Sequence, residues 1–274
     1  MALKKILIAV KTYPTLSKEY DELVCTAGFL EDGSWIRIYP IPYRKLDYKM
    51  RYKKYDWIEL DVTRNSKDLR VESYRPTNIE KECSVVGEID TENNWAKRKE
   101  IVLKHVWHNM SELIEEAKKS KISLAVLKPK DIIDFTWTEV DREWNKSALE
   151  QVLANQKQLS LFCEEETSNL FKIAKKLPYE FSYTFTTEDG KSRTMMIEDW
   201  EIGMLYWHAL DAANGDEEIA CKKVKQKFFD EFKKKDLYFF LGTTLRFHNI
   251  APNPFIIIGT FYPPKVDSQQ TMLF

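Results

Sequence analysis

A β-hairpin signal lies near the amino terminus of the chain. The dipeptide Asp32-Gly33 separates an apolar run, residues 21–30, from residues 35–41, in which aromatic and basic side chains alternate with isoleucines. Asp-Gly between two such runs is typical of a tight turn between antiparallel strands. Residues 4–14 and 55–64 also have strand character. This part of the chain therefore predicts several short strands joined by turns, which is typical of a small β-barrel.

The spacing of apolar residues then changes. They recur at helical spacing over residues 99–120, which predicts a connecting amphipathic helix. A second hairpin signal follows at 178–197, and a helical block runs from Ile202 to about Lys235 before further strand-like runs. We expect an α+β, β-rich fold with these parts: a β-barrel over 1–98, the helix over 99–120, a second β-rich α+β domain over 121–264 with a C-terminal helical block plus strands, and a polar tail over 265–274.

Composition excludes several classes of protein. The chain is 43% hydrophobic and 31% charged with a net charge of −1, which is typical of a soluble globular protein, and no apolar run has the length of a membrane span. Its four cysteines are far apart and form no CxxC pair, so a reducing cytoplasm is the natural setting. Glycine-rich phosphate-binding motifs do not occur in the sequence. We expect no cofactor, no metal and no membrane partner.

Basic residues are concentrated in one region despite the near-neutral total. Between Arg37 and Tyr55 the sequence has seven basic residues and one acidic residue, with aromatic residues interleaved. Single-stranded nucleic acid requires that mixture, because bases stack on rings while cations neutralise phosphates. The candidate nucleic-acid contacts are Trp35, Arg37, Tyr39, Arg44, Tyr48, Arg51, Tyr52, Lys53 and Lys54. The same pattern also fits rings that pack a barrel beside solvated cations, and the sequence leaves both interpretations open.

An acidic cluster offers a second candidate site. Glu198, Asp199 and Glu201 could hold Mg²⁺ for phosphoryl chemistry. The cluster also lies where a strand gives way to a helix. There Asp199 would cap the helix, and Glu201 would be a first-turn acid favoured by the helix dipole. The position favours the capping interpretation.

Two five-residue segments share the pattern Gln-x-x-Leu-Phe. The candidate partner-docking residues are Gln158, Leu161 and Phe162 in the internal copy and Gln270, Leu273 and Phe274 in the terminal copy. The segment "QLSLF" resembles the short peptide by which bacterial polymerases and repair proteins dock on the β sliding clamp. Adjacent large apolar side chains would anchor such a peptide in a pocket. Burial in a core is the alternative, above all for the internal copy, and we favour the tail.

A longer resemblance runs through most of the chain. The segments "VCTAGFLEDGSWIRIYP", "LAVLKPKDIIDF", "QLSLF", "LPYEFSYTF" and "IEDWEIGMLYW" occur in this order. Together they resemble bacterial dual OB-like domain proteins associated with mobile-element and phage-conflict genes. The resemblance implies OB-like small β-barrels, and Cys/His metal ligands in some relatives. This chain has residues 186–191 at the corresponding hairpin, none of them Cys or His.

These observations lead to one functional hypothesis and two alternatives. The hypothesis is a non-enzymatic nucleic-acid-associated module in DNA processing or anti-phage defence. It would bind single-stranded nucleic acid or DNA, with one Gln-x-x-Leu-Phe segment as a tether to the sliding clamp. The alternatives are a Mg²⁺-dependent nuclease that uses the acidic cluster, and an interaction subunit that binds a defence-complex protein.

Overall fold

The structure, a computed structural model, describes residues 2–17, 21–78, 83–162 and 171–265, and over 156–162 it describes the main chain alone. The first part of the chain forms the strands β1 (Ala2–Lys11), β2 (Thr15–Ser17), β3 (Asp21–Phe29), β4 (Trp35–Ile41), β5 (Asp56–Arg64), β6 (Ser73–Pro76) and β7 (Ser84–Glu88).

Five of these strands close into a barrel in the order β1-β3-β4-β6-β5, with β5 pairing back onto β1. The pairs are antiparallel except β4–β6, which is parallel. The alternating pattern of β5 turns Ile58, Leu60 and Val62 into the interior, where they join Ile6 and Ile8 of β1. The small barrel predicted from the sequence is therefore confirmed.

The predicted hairpin is the turn between β3 and β4. Gly33 has a φ of +83°, a left-handed conformation that glycine adopts without the steric cost of a side chain. Asp32 Oδ1 accepts hydrogen bonds from the main-chain N–H and the hydroxyl of Ser34. The dipeptide thus supplies both the backbone freedom and the side-chain acceptor that fix the turn.

The single helix predicted over 99–120 is wrong. The chain forms α1 (Glu92–Val102), a short strand β8 (Val106–Trp107) and α2 (Met110–Lys118). The helix is interrupted because Val106 and Trp107 pair with another strand, and because Asn109 caps a new helix through its side chain. Asparagine is a favoured N-cap residue. The spacing of the apolar residues alone does not reveal the helix start at Asn109.

The second part of the chain contains the strands β9 (Leu124–Leu127), β10 (Asp131–Glu139), β11 (Tyr179–Thr186), β12 (Ser192–Met196), β13 (Tyr238–Thr243) and β14 (Phe255–Phe261). Its helices are α3 (Lys146–Phe162), α4 (Trp200–Ala212) and α5 (Glu217–Lys225), and a less regular helical segment continues through Lys234.

These strands form two sheets that meet along two seams. One sheet has the order β10-β11-β12 and the other β14-β13-β9-β8. At the first seam the chain passes from one sheet into the other, since β9 leads almost directly into β10. The second is a parallel bridge between Ile197 and Ile257. Aromatic residues of both sheets, including Phe135, Tyr183 and Phe239, fill the space between them.

The two parts pack against each other through the outer face of β1, β3 and β4. Phe29 and Trp35 of the barrel lie against Phe240 of β13, with the Trp35 and Phe240 ring centroids 5.5 Å apart. Leu124 and Val126 of β9 belong to the same apolar cluster. Among the described residues, no helix is both long enough and apolar enough to cross a membrane.

Candidate functional site

Two members of the predicted nucleic-acid surface are buried in the structure. Arg37 is 2% exposed and Tyr52 is fully buried, so neither lies at a surface. The Arg37 guanidinium donates to Ser123 Oγ at 2.8 Å, to the Ser123 carbonyl at 3.2 Å and to the Thr243 carbonyl at 3.4 Å. The Tyr52 hydroxyl pairs with Thr26 inside the barrel. Arg37 therefore joins the two parts of the chain, and Tyr52 is a core residue.

Other members of that set are committed to contacts within the protein. Trp35 is half-buried between Phe29 and Phe240. Arg44 forms an ion pair with the buried Glu22 at 2.7 Å. Tyr39 is at the margin of exposure, at 37%.

The members that remain at the surface lie in a short segment between β4 and β5. We call residues 43–54 the basic loop. The ring of Tyr48 is 87% exposed, and Lys49, Arg51 and Lys53 are exposed beside it in sequence. The Arg51 guanidinium donates to the carbonyls of Leu46 and Arg44 at 2.9 and 2.8 Å. These bonds brace the loop, so its ring and cations project from a supported backbone.

The acidic cluster lies at the start of α4, in the capping arrangement that its position in the sequence favoured. Asp199 is the N-cap, and its Oδ1 accepts from the main-chain N–H of Glu201 at 2.6 Å. The predicted capping role is confirmed. Glu198 is half-buried; its main-chain N–H donates to the Ile257 carbonyl, and burial followed by the charge of Glu180 raises the pKa of its carboxyl.

The cation beside this cluster is Lys54. Its ammonium lies 3.9 Å from an Asp199 oxygen and 3.5 Å from a Glu201 oxygen, and it donates to the Thr260 carbonyl at 2.9 Å. Lys54 is therefore an internal ion-pair residue, which corrects its assignment to a nucleic-acid surface. The described residues contain no group of three His, Cys, Asp or Glu side chains that could hold a metal ion.

Burial shapes the charge state of Asp199. Desolvation raises the pKa of its carboxyl to about 7; the positive charge of Lys54 opposes this rise, and the negative charge of Glu201 adds to it. The carboxyl therefore holds its proton to a higher pH than an ordinary aspartate does. A carboxyl in this state, beside an ammonium, adds less negative charge to its surroundings than the sequence implies.

An open cavity of about 530 Å³ lies beside this ion pair, between the barrel and α4. It is lined by Lys11, Lys53, Lys54, Asp199, Trp200, Glu201, Met204, Leu205 and His208. We call this space the cleft. Its walls come from both parts of the chain, because β1 and the basic loop supply the lysines while α4 supplies the remaining side chains.

Lys11 is the cleft residue that sequence reasoning missed. Its ammonium donates to the Tyr43 hydroxyl at 3.1 Å and to the Tyr52 carbonyl at 3.2 Å, and it lies 4.3 and 5.3 Å from the Tyr43 and Trp200 ring centroids. Burial lowers its pKa to about 8, although Glu201, Asp199 and Asp56 act in the opposite direction. The only signal in the sequence is a lysine directly after the apolar run 6–10.

Close packing at Gly203 holds α4 against the barrel. A Cβ atom at this position would lie 2.1 Å from the ring of Tyr13, so only glycine allows this approach. The indole N–H of Trp207, one turn further on, donates to the Tyr13 hydroxyl at 2.8 Å. Helix α4 is therefore fixed on the barrel at the position that forms one wall of the cleft.

The two Gln-x-x-Leu-Phe segments differ in what the structure describes. The internal copy, with Gln158, Leu161 and Phe162, has a helical main chain at the end of α3, and its side chains lie outside the described set. The terminal copy, with Gln270, Leu273 and Phe274, lies outside the described residues altogether. Docking by either copy stays a prediction.

The fold and the site define a protein of two joined β-rich parts with a lysine-lined cleft between them. Residues 106–274 match the model of a family described as a domain of unknown function, DUF8757, and residues 2–104 match a second, DUF8758. The first match covers more than half of the chain, which therefore belongs to the DUF8757 family. No curated protein matches the chain.

Proposed function

We propose that the chain is a nucleic-acid-associated module that acts by binding single-stranded nucleic acid through its basic loop, in DNA processing or anti-phage defence. The observation that carries the proposal is the 87% exposed ring of Tyr48 followed by the exposed cations of Lys49, Arg51 and Lys53. An exposed ring among cations suits a base and its phosphates, because the base stacks on the ring while the cations neutralise the phosphates.

The topology supports the proposal through its likeness to OB barrels. The order β1-β3-β4-β6-β5, with β4 and β6 parallel, is that of a five-stranded OB barrel. The order β10-β11-β12, continued across the Ile197–Ile257 bridge to β14 and β13, follows the same scheme, with two helices after its third strand. OB barrels commonly bind oligonucleotides, although a likeness of fold does not by itself establish a function.

The usual OB binding face is not available in the first barrel. That face is formed by the second and third strands, here β3 and β4, and Trp35 and Arg37 on it contact Phe240, Ser123 and Thr243 of the second part. Binding is therefore assigned to the basic loop. The contacts of Lys54 with Asp199 and Glu201 weigh against a Mg²⁺-dependent nuclease, because an ammonium already lies beside both carboxyls and offsets part of their charge.

Reversing two loop charges tests the proposal. We expect the double variant Lys49→Glu/Lys53→Glu to lose retention of a single-stranded oligonucleotide in a low-salt filter assay, because each removed cation also adds a repulsive anion. The double variant Lys233→Glu/Lys234→Glu changes the net charge equally at exposed positions outside the loop and should keep binding. Equal retention by both variants would refute the assignment.

The tether to the β sliding clamp is a separate part of the proposal. Leu273 and Phe274 would fill an apolar pocket as anchors, with Gln270 fixing the register. Removal of residues 270–274 should abolish capture of the chain by immobilised clamp, whereas Leu161→Ala/Phe162→Ala in the internal copy should leave capture unchanged. Capture that survives the truncation would rule out the terminal copy as the tether.

A further inference from the structure

The cleft has a cationic end, and the proposed function uses Lys53 of this end but not Lys11. Lys11 and Lys53 line it together with the paired Lys54. Lys11 directs two of its three N–H donors to the Tyr43 hydroxyl and the Tyr52 carbonyl, so within the described part of the chain one donor is left for a ligand. A lysine held in this way is a preorganised contact for an anion, because little side-chain freedom remains to be lost on binding.

The two carboxyl groups in the cleft do not cancel this character. Asp199 is 4% exposed, caps α4 and faces the ammonium of Lys54. Glu201 is turned partly to solvent, with its side chain 45% exposed, and faces the same ammonium. Three lysines therefore face two acids in the cleft, and one positive charge remains even when both carboxyls are ionised.

The remaining walls suit a flat apolar group. Trp200 supplies an indole ring, and Met204 and Leu205 supply flexible apolar surface on the same helix. The cavity of about 530 Å³ falls within the range of roughly 300–1,000 Å³ that is usual for sites of small molecules. A ligand that fits the cleft would therefore have an anionic group next to a flat ring. A single nucleotide unit has both.

We propose that the cleft binds a phosphomonoester, with its phosphate on Lys11 and Lys53 and its base beside Trp200. The source is either the terminal phosphate of a nucleic-acid strand or a free mononucleotide. The first source rests on the proposed function, since the basic loop that holds the strand continues through Lys53 into the cleft. Terminal recognition would then place the module at strand ends rather than along a strand.

Four probes separate the sources: single strands of one sequence with a terminal phosphate or with hydroxyl ends, a free mononucleotide, and inorganic phosphate. We expect the full chain to bind the phosphorylated strand about tenfold more tightly than the hydroxyl strand, the usual effect of one charge-assisted contact. Lys11→Gln should remove most of this ratio, leaving the smaller part supplied by the exposed Lys53, without changing the affinity for the hydroxyl strand. Lys11→Arg should retain most of it, and Lys233→Gln, a matched surface variant, should leave it unchanged.

A pH titration supplies a readout that loss of structure would not mimic. The groups that face Lys11 are Tyr43, Tyr52, Lys54, Asp56, Asp199 and Glu201. Above about pH 7, where the phosphomonoester already carries its second charge, the phosphate-dependent ratio should fall as the pH rises, because Asp199 gains charge and Lys11 loses its proton above about pH 8. The Lys11→Gln variant should show no such dependence above pH 8.

Each outcome decides between the claims. A mononucleotide that binds in a Lys11-dependent way, when neither strand binds, supports the cleft with the free nucleotide as its source and refutes the basic-loop function. A hydroxyl strand that binds as tightly as the phosphorylated one, with no binding of mononucleotide or inorganic phosphate, overturns the cleft and leaves the basic-loop function standing. A ratio that Lys11→Gln leaves unchanged in a folded variant also overturns the cleft.

Discussion

Replacing Lys54 by methionine should lower the free energy of unfolding by about 3–5 kcal/mol at alkaline pH, because it leaves a buried carboxylate without its partner. The side chains of Lys54 and Asp199 are 12% and 3% exposed, so the carboxyl has little solvent contact to offset the lost ammonium. The Thr260 carbonyl also loses its donor. Glu201 contributes little to this loss, because it is partly solvated.

The loss of unfolding free energy in Lys54→Met should grow as the pH rises. The pKa of Asp199 is raised in the folded protein to about 7, so its own contribution to stability is full below the unfolded value near 4 and is lost as the pH rises through 7. Without Lys54 the pKa rises further, and the carboxyl takes up a proton instead of remaining charged. The difference between wild type and variant should therefore be small in mild acid and grow above about pH 7.

Urea denaturation at several pH values measures this difference. Asp199→Asn is the matched control, because an asparagine still caps α4 but carries no charge. Adding it to Lys54→Met should recover part of the loss. A cost below about 1 kcal/mol at alkaline pH, or a cost that does not change with pH, would contradict the ion-pair account.

Replacing Arg37 by methionine should also be destabilising, by about 1–3 kcal/mol, because it leaves buried neutral acceptors without their donor. The buried guanidinium serves two acceptors of Ser123 and the carbonyl of Thr243, and a thioether of similar volume satisfies none of them. The Thr243 carbonyl keeps a second donor, Arg70, so the loss falls mainly on Ser123. These acceptors belong to the second part of the chain, while Arg37 belongs to the barrel. The variant should therefore also weaken the coupling between the two parts, so that their unfolding transitions separate.

Thermal and urea unfolding followed by fluorescence and by circular dichroism checks this prediction. Arg75→Met removes the same charge from an exposed position on β6 and should change stability by no more than about 0.5 kcal/mol. A similarly small effect of Arg37→Met would mean that the guanidinium does not hold the interface together.

The features that could be predicted from the sequence are those with local causes. Alternation along β5 and the Asp32-Gly33 turn specify the barrel strands, since both depend on neighbouring residues. The role of Asp199 as a cap was predictable for the same reason, because an aspartate before a helix satisfies N–H groups within its own first turn. The helix predicted over 99–120 failed where a long-range strand pair, Val106 with Val126, interrupts it.

The features that could not be predicted depend on contacts between distant residues. Arg37 and Lys54 look like surface cations in a basic region, but their partners Ser123 and Glu201 lie 86 and 147 residues further along the chain. The position of Lys11 in the cleft could not be predicted for the same reason, since Trp200 of α4 completes its surroundings. A charge pattern in sequence identifies cations; only the fold divides them into internal ion pairs and exposed contacts.

The salt dependence of oligonucleotide binding tests the central claim, that the basic loop binds single-stranded nucleic acid, most directly. For single strands the logarithm of the binding constant falls with the logarithm of salt concentration by about 0.7 for each phosphate neutralised. We predict a steep slope for the wild type, a slope lower by at least about 1.4 for Lys49→Glu/Lys53→Glu, and the wild-type slope for Lys233→Glu/Lys234→Glu. Binding that is absent at low salt, or a slope that the loop variant leaves unchanged, would contradict the account.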